Sequence, residues 1–199
     1  MIGITIFSIS MGGIYLLLES ATSRAAYSRH EIVAANLLRE QIELIKNLRG
    51  SNWRSFRPWD TARIENTAWW VETAPLTPGI YIVENDFSTE KATYDSTLGL
   101  STLPVKIIWG LVLPTKSTDM FTEASVFRLC LDNQNRYVHD CGADTKSTSY
   151  ASYLEIAPLT YSPSEIVASG YILTAHVIVG NRTTARDYDM KTILTDWKR

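Results

Sequence analysis

The first charged side chain in this 199-residue chain is Glu19. Before it runs Met1-Ile-Gly-Ile-Thr-Ile-Phe-Ser-Ile-Ser-Met-Gly-Gly-Ile-Tyr-Leu-Leu-Leu18. As a helix, roughly 18 residues at about 1.5 Å each reach about 27 Å, close to the hydrocarbon thickness of a bilayer. A cleaved secretory signal is shorter, with a basic start and a small-residue cleavage site, and this run shows neither. Ile2, Ile4, Ile6, Phe7, Ile9, Met11, Ile14, Leu16, Leu17 and Leu18 are therefore expected to seek lipid or one another. Ser8, Ser10, Gly12 and Gly13 are small, and small residues let helices approach closely in lipid. Two adjacent glycines also weaken a helix by about 1 kcal/mol each relative to alanine. Gly12 and Gly13 thus mark where the helix is expected to loosen or melt on assembly.

Past Glu19 the polarity changes and the helical rhythm continues. Ala34, Leu38, Ile42, Ile45 and Leu48 fall on one side, with Val33, Leu37 and Leu44 widening the stripe. Arg39, Glu40, Glu43, Lys46 and Arg49 take the other side. Leu38, Ile42, Ile45 and Leu48 are the expected contacts with a sheet, and Gly50 is the expected helix stop. An amphipathic helix alone fits the core of many domains. Joined to the uncharged run, residues 1–50 read as a stalk, one end for an apolar medium and the other for a head at residues 51–199.

The stretch Ile4-Thr5-Ile6-Phe7-Ser8 through Leu18-Glu19-Ser20, passing without a break into an amphipathic helix, resembles the N-terminal region of type IV pilins and of the pilin-like subunits of type II secretion systems. Members of that family carry a short basic leader removed by a prepilin peptidase. Their mature end, typically a Phe-Thr-Leu-Ile-Glu run, holds a glutamate important for assembly. Aligning on the Ile-Thr-Ile-Phe stretch implies that this chain begins several residues inside that mature end. In the head, Tyr153-Leu-Glu-Ile156, His176-Val-Ile-Val179 and Ile193-Leu-Thr-Asp-Trp197 look like pilin-like proteins known mainly from genomes of small, often episymbiotic bacteria. The resemblance implies an α+β, pilin-like fold and a subunit of a filament on the bacterial cell surface. Its implied partners are other copies of itself, the pilus assembly machinery, the prepilin peptidase and the inner membrane before assembly.

Composition fits an exported head. A net charge of −2, with 20% of residues charged, does not by itself imply nucleic acid as a partner. Cys130 and Cys141 bracket ten residues, a spacing that suits a hairpin closed by a disulfide in an oxidising compartment. The charge distribution points the other way. Arg24, Arg29, Arg39, Lys46 and Arg49 follow the apolar run, and the positive-inside rule would keep the head in the cytoplasm. The family's basic leader would supply the balancing charge. The cysteines and the resemblance together favour export.

Residues 51–60 mix Trp53, Arg54, Phe56, Arg57 and Trp59 without periodicity. They read as a loop leaving the stalk, and alternating cations and aromatics also suit stacking of sugars or single-stranded nucleic acid. Strand-like runs follow at residues 66–72, 80–84, 105–113, 125–131, 136–138, 152–157, 171–179 and 187–194. The first two, separated by Pro75-Leu-Thr-Pro-Gly79, are expected to pair as a hairpin; residues 85–102 read as a long polar loop. The fold class is α+β, a long helix packed on an antiparallel sheet.

Motifs for chemistry are sparse. His30, His139 and His176 lie in unlike contexts, and Ser88-Thr-Glu-Lys91 matches a Ser-x-x-Lys spacing without its partner motifs. Neither a nucleophile elbow nor a Gly-rich phosphate loop nor a zincin helix occurs. Asp132, Asn133, Asn135, Asp140 and Asp144 offer oxygens to calcium but lack EF-hand spacing. Asn181-Arg-Thr183 has the form of a glycan acceptor. The expectation is a structural subunit, not an enzyme, with no cofactor and no metal. A secretion pseudopilin and a membrane-tethered binding module that never polymerises, with residues 53–59 as its ligand surface, are the alternatives.

Overall fold

The computed structural model describes residues 2–54, 56, 58–66, 71–85, 94–95, 100–101, 105–109, 111–122, 125–162, 165–181 and 183–196. A single helix, α1 (Ile2–Arg54), spans 53 residues, about 80 Å at 1.5 Å per residue. Among the described residues eleven strands follow: β1 (Thr61–Asn66), β2 (Val71–Pro75), β3 (Gly79–Asn85), β4 (Tyr94–Asp95), β5 (Leu100–Ser101), β6 (Val105–Trp109), β7 (Arg128–Leu131), β8 (Tyr137–Val138), β9 (Lys146–Ser162), β10 (Glu165–Gly180) and β11 (Ala185–Thr195). A short 3-10 helix, Ser117–Phe121, separates β6 from β7.

The main sheet runs β11-β10-β9-β3-β6-β1-β2, with β7 also on β9 and β8 on β7; β4 and β5 pair separately. Period-2 alternation sends neighbouring side chains to opposite faces. Leu154, Ile156, Leu173, Ala175, Val177 and Leu194 turn toward α1 and pack with Ala34, Leu37, Leu38, Ile42, Leu44 and Ile45. Ala151, Tyr153 and Ile178 turn away and form a second core with Met120, Phe121 and Phe127. Each large apolar side chain buried this way contributes roughly 1.5–3 kcal/mol. The β10–β11 turn requires Gly180, because a Cβ there would lie 2.1 Å from the Thr184 carbonyl oxygen.

The structure corrects several sequence-based expectations. Gly50 does not stop the helix, which continues to Arg54. A glycine costs a helix only about 1 kcal/mol relative to alanine, and Asn52 ties the last turn down, its Nδ2 donating to the Trp59 and Thr61 carbonyls. The expected hairpin of residues 66–72 with 80–84 does not form. β2 pairs antiparallel with β1, while β3 lies between β9 and β6. The Leu76 N–H bonds to the Asp60 carbonyl at 2.8 Å, which extends the β1–β2 ladder by one rung past Thr61 and Pro75, so the start of the Pro-rich segment is held beside β1. β1 runs parallel to β6, so the largely antiparallel sheet contains one parallel pair. The expected strand at 105–113 ends at Trp109, and β9, β10 and β11 are longer than their sequence patterns. Within 85–102, β4 and β5 are short strands; residues 86–93 and 96–99, including the Ser88–Lys91 spacing, lie outside the described residues.

Candidate functional site

Two segments of α1 meet different surroundings. Gly3, Phe7 and every residue from 11 to 29 are exposed, including Phe7, Met11, Ile14, Leu16, Leu17 and Leu18 at 60–72%. From Ala34 to Ile45 the stripe toward the sheet is almost fully buried. The side chains of Ile2, Ile4, Ile6 and Ile9 lie outside the described ones. Ile14, Tyr15, Leu16, Leu17 and Leu18 are consecutive, and at 100° per residue five positions circle the whole helix. A helix apolar all round is a buried helix, not half of a two-stranded seam. Among the described residues no helix is long and apolar enough to cross a membrane. In the single chain α1 passes unbroken through Gly12 and Gly13, where an added Cβ would meet nothing within 4 Å. The loosening expected there concerns the assembled state.

The rod leaves the head through a clamp. His30 Nδ1 and the Tyr150 hydroxyl are 2.8 Å apart, and the Arg186 guanidinium sits 4.7 Å over the Tyr27 ring. Beside it lies a groove of about 520 Å³ between α1 and the β10–β11 turn, lined by both polar and apolar side chains. Asn181, the candidate glycan acceptor, is exposed at this groove, and its Oδ1 accepts from the Thr183 and Thr184 N–H groups.

The cysteines form the disulfide Cys130–Cys141, closing the β7–β8 hairpin. The Asp132 carboxylate is used within that hairpin. It accepts from the Arg136 N–H and Nε and from the Gln134 N–H, all at 2.8 Å. These bonds, led by the Arg136 N–H, hold its carboxyl below the usual carboxylate range. Asn133, Asn135, Asp140 and Asp144 are exposed, and among the described residues no three His, Cys, Asp or Glu side chains gather as metal ligands.

The structure also joins residues that no local motif announces. β9 has β7 beside one part and β3 beside another, and His139 fills the fork between them. Its N–H and Nδ1 contact Glu84 Oε2 at 2.9 and 3.1 Å, and its Nε2 meets Ser152 Oγ at 3.0 Å. A serine, a histidine and a glutamate in series have the order of a nucleophile, its base and the group that orients the base. Ser152 is only 3% exposed, however, so its hydroxyl is not presented to a substrate. The chain braces the disulfide hairpin against the sheet. The third histidine, His176, stacks on Tyr153 with centroids 4.5 Å apart and lies 3.2 Å from Asp187. Burial, followed by the Asp187 and Glu155 charges, pushes the Tyr153 hydroxyl up to about 12. Comparison with protein families, curated proteins and solved structures returns no match.

Proposed function

We propose that this chain is a pilin-like structural subunit, polymerising through the apolar half of α1. One observation carries the reading. The helix that forms the head's core continues beyond the head, exposed at every residue from Met11 to Arg29, with apolar side chains on every side from Ile14 to Leu18. The head cannot cover that rod, and exposed apolar area of this extent marks an interaction surface. Lipid satisfies it before assembly, and equivalent rods satisfy it in a filament, so transfer from one to the other needs no new solvent. The disulfide supports export of the head to an oxidising compartment. A helix clamped to its head at His30 and Tyr27 gives each copy the same rod direction, which a regular helical polymer requires.

Electron microscopy of surface fibres, with mass-spectrometric identification of their subunit, tests the proposal. Fibres built from this chain and lost on its deletion are expected. Single chains on detergent extraction, with no fibres in cells, would instead leave a tethered head. A short cell-envelope assembly needed for secretion would indicate a pseudopilin.

A further inference from the structure

Residues 1–29 of α1 carry three charged side chains, Glu19, Arg24 and Arg29. All three are exposed, and among the described residues none of their charged groups has a hydrogen-bond or ion-pair partner. Farther along α1, beside the head, charges find partners within the chain. Glu40 accepts from Asn85, Lys46 pairs with Glu43, and Arg49 reaches the Thr195 carbonyl. The spacing in the rod forbids the same solution. On a helix only residues three or four apart are neighbours. The positions that reach Glu19 hold Tyr15, Leu16, Thr22 and Ser23, and those that reach Arg24 hold Ser20, Ala21, Tyr27 and Ser28. Glu19 and Arg24 are five apart, about 140° around the helix and about 7.5 Å along it.

The geometry points to an ion pair between copies, the Glu19 carboxylate of one rod with the Arg24 guanidinium of the next. It rests on the polymerisation reading and names the polar contact that sets the rods' register. In water the unpaired charges are hydrated and cost the rod nothing. Bundling the rods strips that water, and a buried charge without a partner is costly. Since no base on its own helix reaches Glu19, the neighbouring copy supplies one. Register selects which. Placing Glu19 beside Arg24 of the next copy slides the rods by five residues, and about 13 of the 18 uncharged residues before Glu19 stay side by side. Placing it beside Arg29 slides them by ten residues, about 15 Å, and about eight stay side by side. Stabilisation follows the apolar area buried, so Arg24 is the partner. The angle between the two side chains then has a use. Each rod offers its acid to one neighbour and its base to another on the far side. Such a contact is heterologous, and a heterologous contact that does not close into a ring grows as a helical filament.

The test assembles the full chain from detergent by dilution and sediments the fibres across a concentration series. Wild type, Glu19→Arg, Arg24→Glu, the double variant and an equal mixture of the two single variants are compared. Each single reversal is expected to raise the concentration needed for assembly about 30-fold or more, the effect of breaking a desolvated charge pair. The double variant should return to within about fivefold of wild type, because reversing both charges keeps the pair. The mixture should also assemble, since one variant then carries bases at both positions and the other acids. A pair inside one chain gives no such rescue. The urea midpoint of the head should be the same throughout, as neither side chain touches it. Fibres indifferent to the single reversals overturn the inference and leave the polymerisation proposal standing. So does a double variant no better than the single ones, and so does rescue of Glu19→Arg by Arg29→Glu in place of Arg24→Glu. Wild type that forms no fibres at any concentration overturns the polymerisation reading, and this inference with it.

Discussion

Truncating one apolar side chain on each half of α1 should produce opposite phenotypes. Ile45 is 1% exposed between the helix and the sheet, and Leu17 is 72% exposed on the rod. Ile45→Ala removes a buried side chain and leaves a cavity, a change worth about 2–5 kcal/mol. That is a large fraction of the roughly 5–15 kcal/mol that holds a domain folded. Leu17→Ala takes nothing from the head, and alanine is the better helix former, so head stability should change by less than about 0.5 kcal/mol. In a filament the same change removes burial at about 0.8 kcal/mol per methylene, near 2 kcal/mol per subunit. At tenfold per 1.4 kcal/mol, the concentration needed for assembly should rise roughly 30-fold. Urea denaturation followed by tryptophan fluorescence reads the first quantity. Sedimentation of fibres across a dilution series reads the second. A destabilisation by Leu17→Ala above 1 kcal/mol would mean that the rod packs on its own head, and fibres indifferent to it would mean that the rod is not the polymer core. Either result refutes the reasoning.

Three further substitutions probe the head. Gln41 is 4% exposed in the helix–sheet layer, and its amide has no hydrogen-bond partner among the described residues. Gln41→Leu should therefore stabilise the head by about 1–2 kcal/mol, read as a rise in the urea midpoint at constant slope. Replacing both cysteines by serine opens a closed loop with a sequence separation of 11. Chain-entropy arithmetic for such a loop gives a loss of about 3 kcal/mol, measurable against the oxidised wild type, and the reduced wild type should match the variant. Tyr153 ionises near 10 when unfolded and about 12 when folded. Unfolding thus releases a proton between those values, and stability should fall with rising pH by up to about 1.4 kcal/mol per unit from this residue. Tyr153→Phe should flatten that decline by one proton's worth; an unchanged slope would show that the hydroxyl is solvated.

The parts of the fold written in consecutive residues were legible. The stalk's two faces follow from a 3.6-residue period carried by Ala34, Leu38, Ile42 and Ile45, and the Cys130–Cys141 disulfide follows from spacing once an oxidising compartment is assumed. Strand existence at 171–179 and 187–194 was likewise visible, because β10 and β11 are adjacent in sequence and in the sheet. What sequence order hides is pairing between distant segments. β3 between β9 and β6, and the parallel pair of β1 with β6, depend on which apolar faces fit α1, which no local turn specifies. The same holds for Glu84, His139 and Ser152. They are 55 and 13 residues apart, and only the fork at β9 brings them together.

The fork also shows how a small head can carry a long lever. A rod of about 45 Å pushed sideways loads the head where it emerges, at His30, Tyr27 and the first turns of the buried stripe. Tyr150, which holds His30, lies on β9, the strand that also contacts β10, β3 and β7. Load entering at the clamp therefore spreads through the longest strand of the sheet to three neighbours. The disulfide and the His139 brace fix β7 and β8 against that strand. The clamp, the disulfide hairpin and the His139 brace thus all attach to β9 or to a strand paired with it. A head that only floated on a tether would gain nothing from stiffness there, whereas one locked between neighbouring copies would transmit tension through that joint.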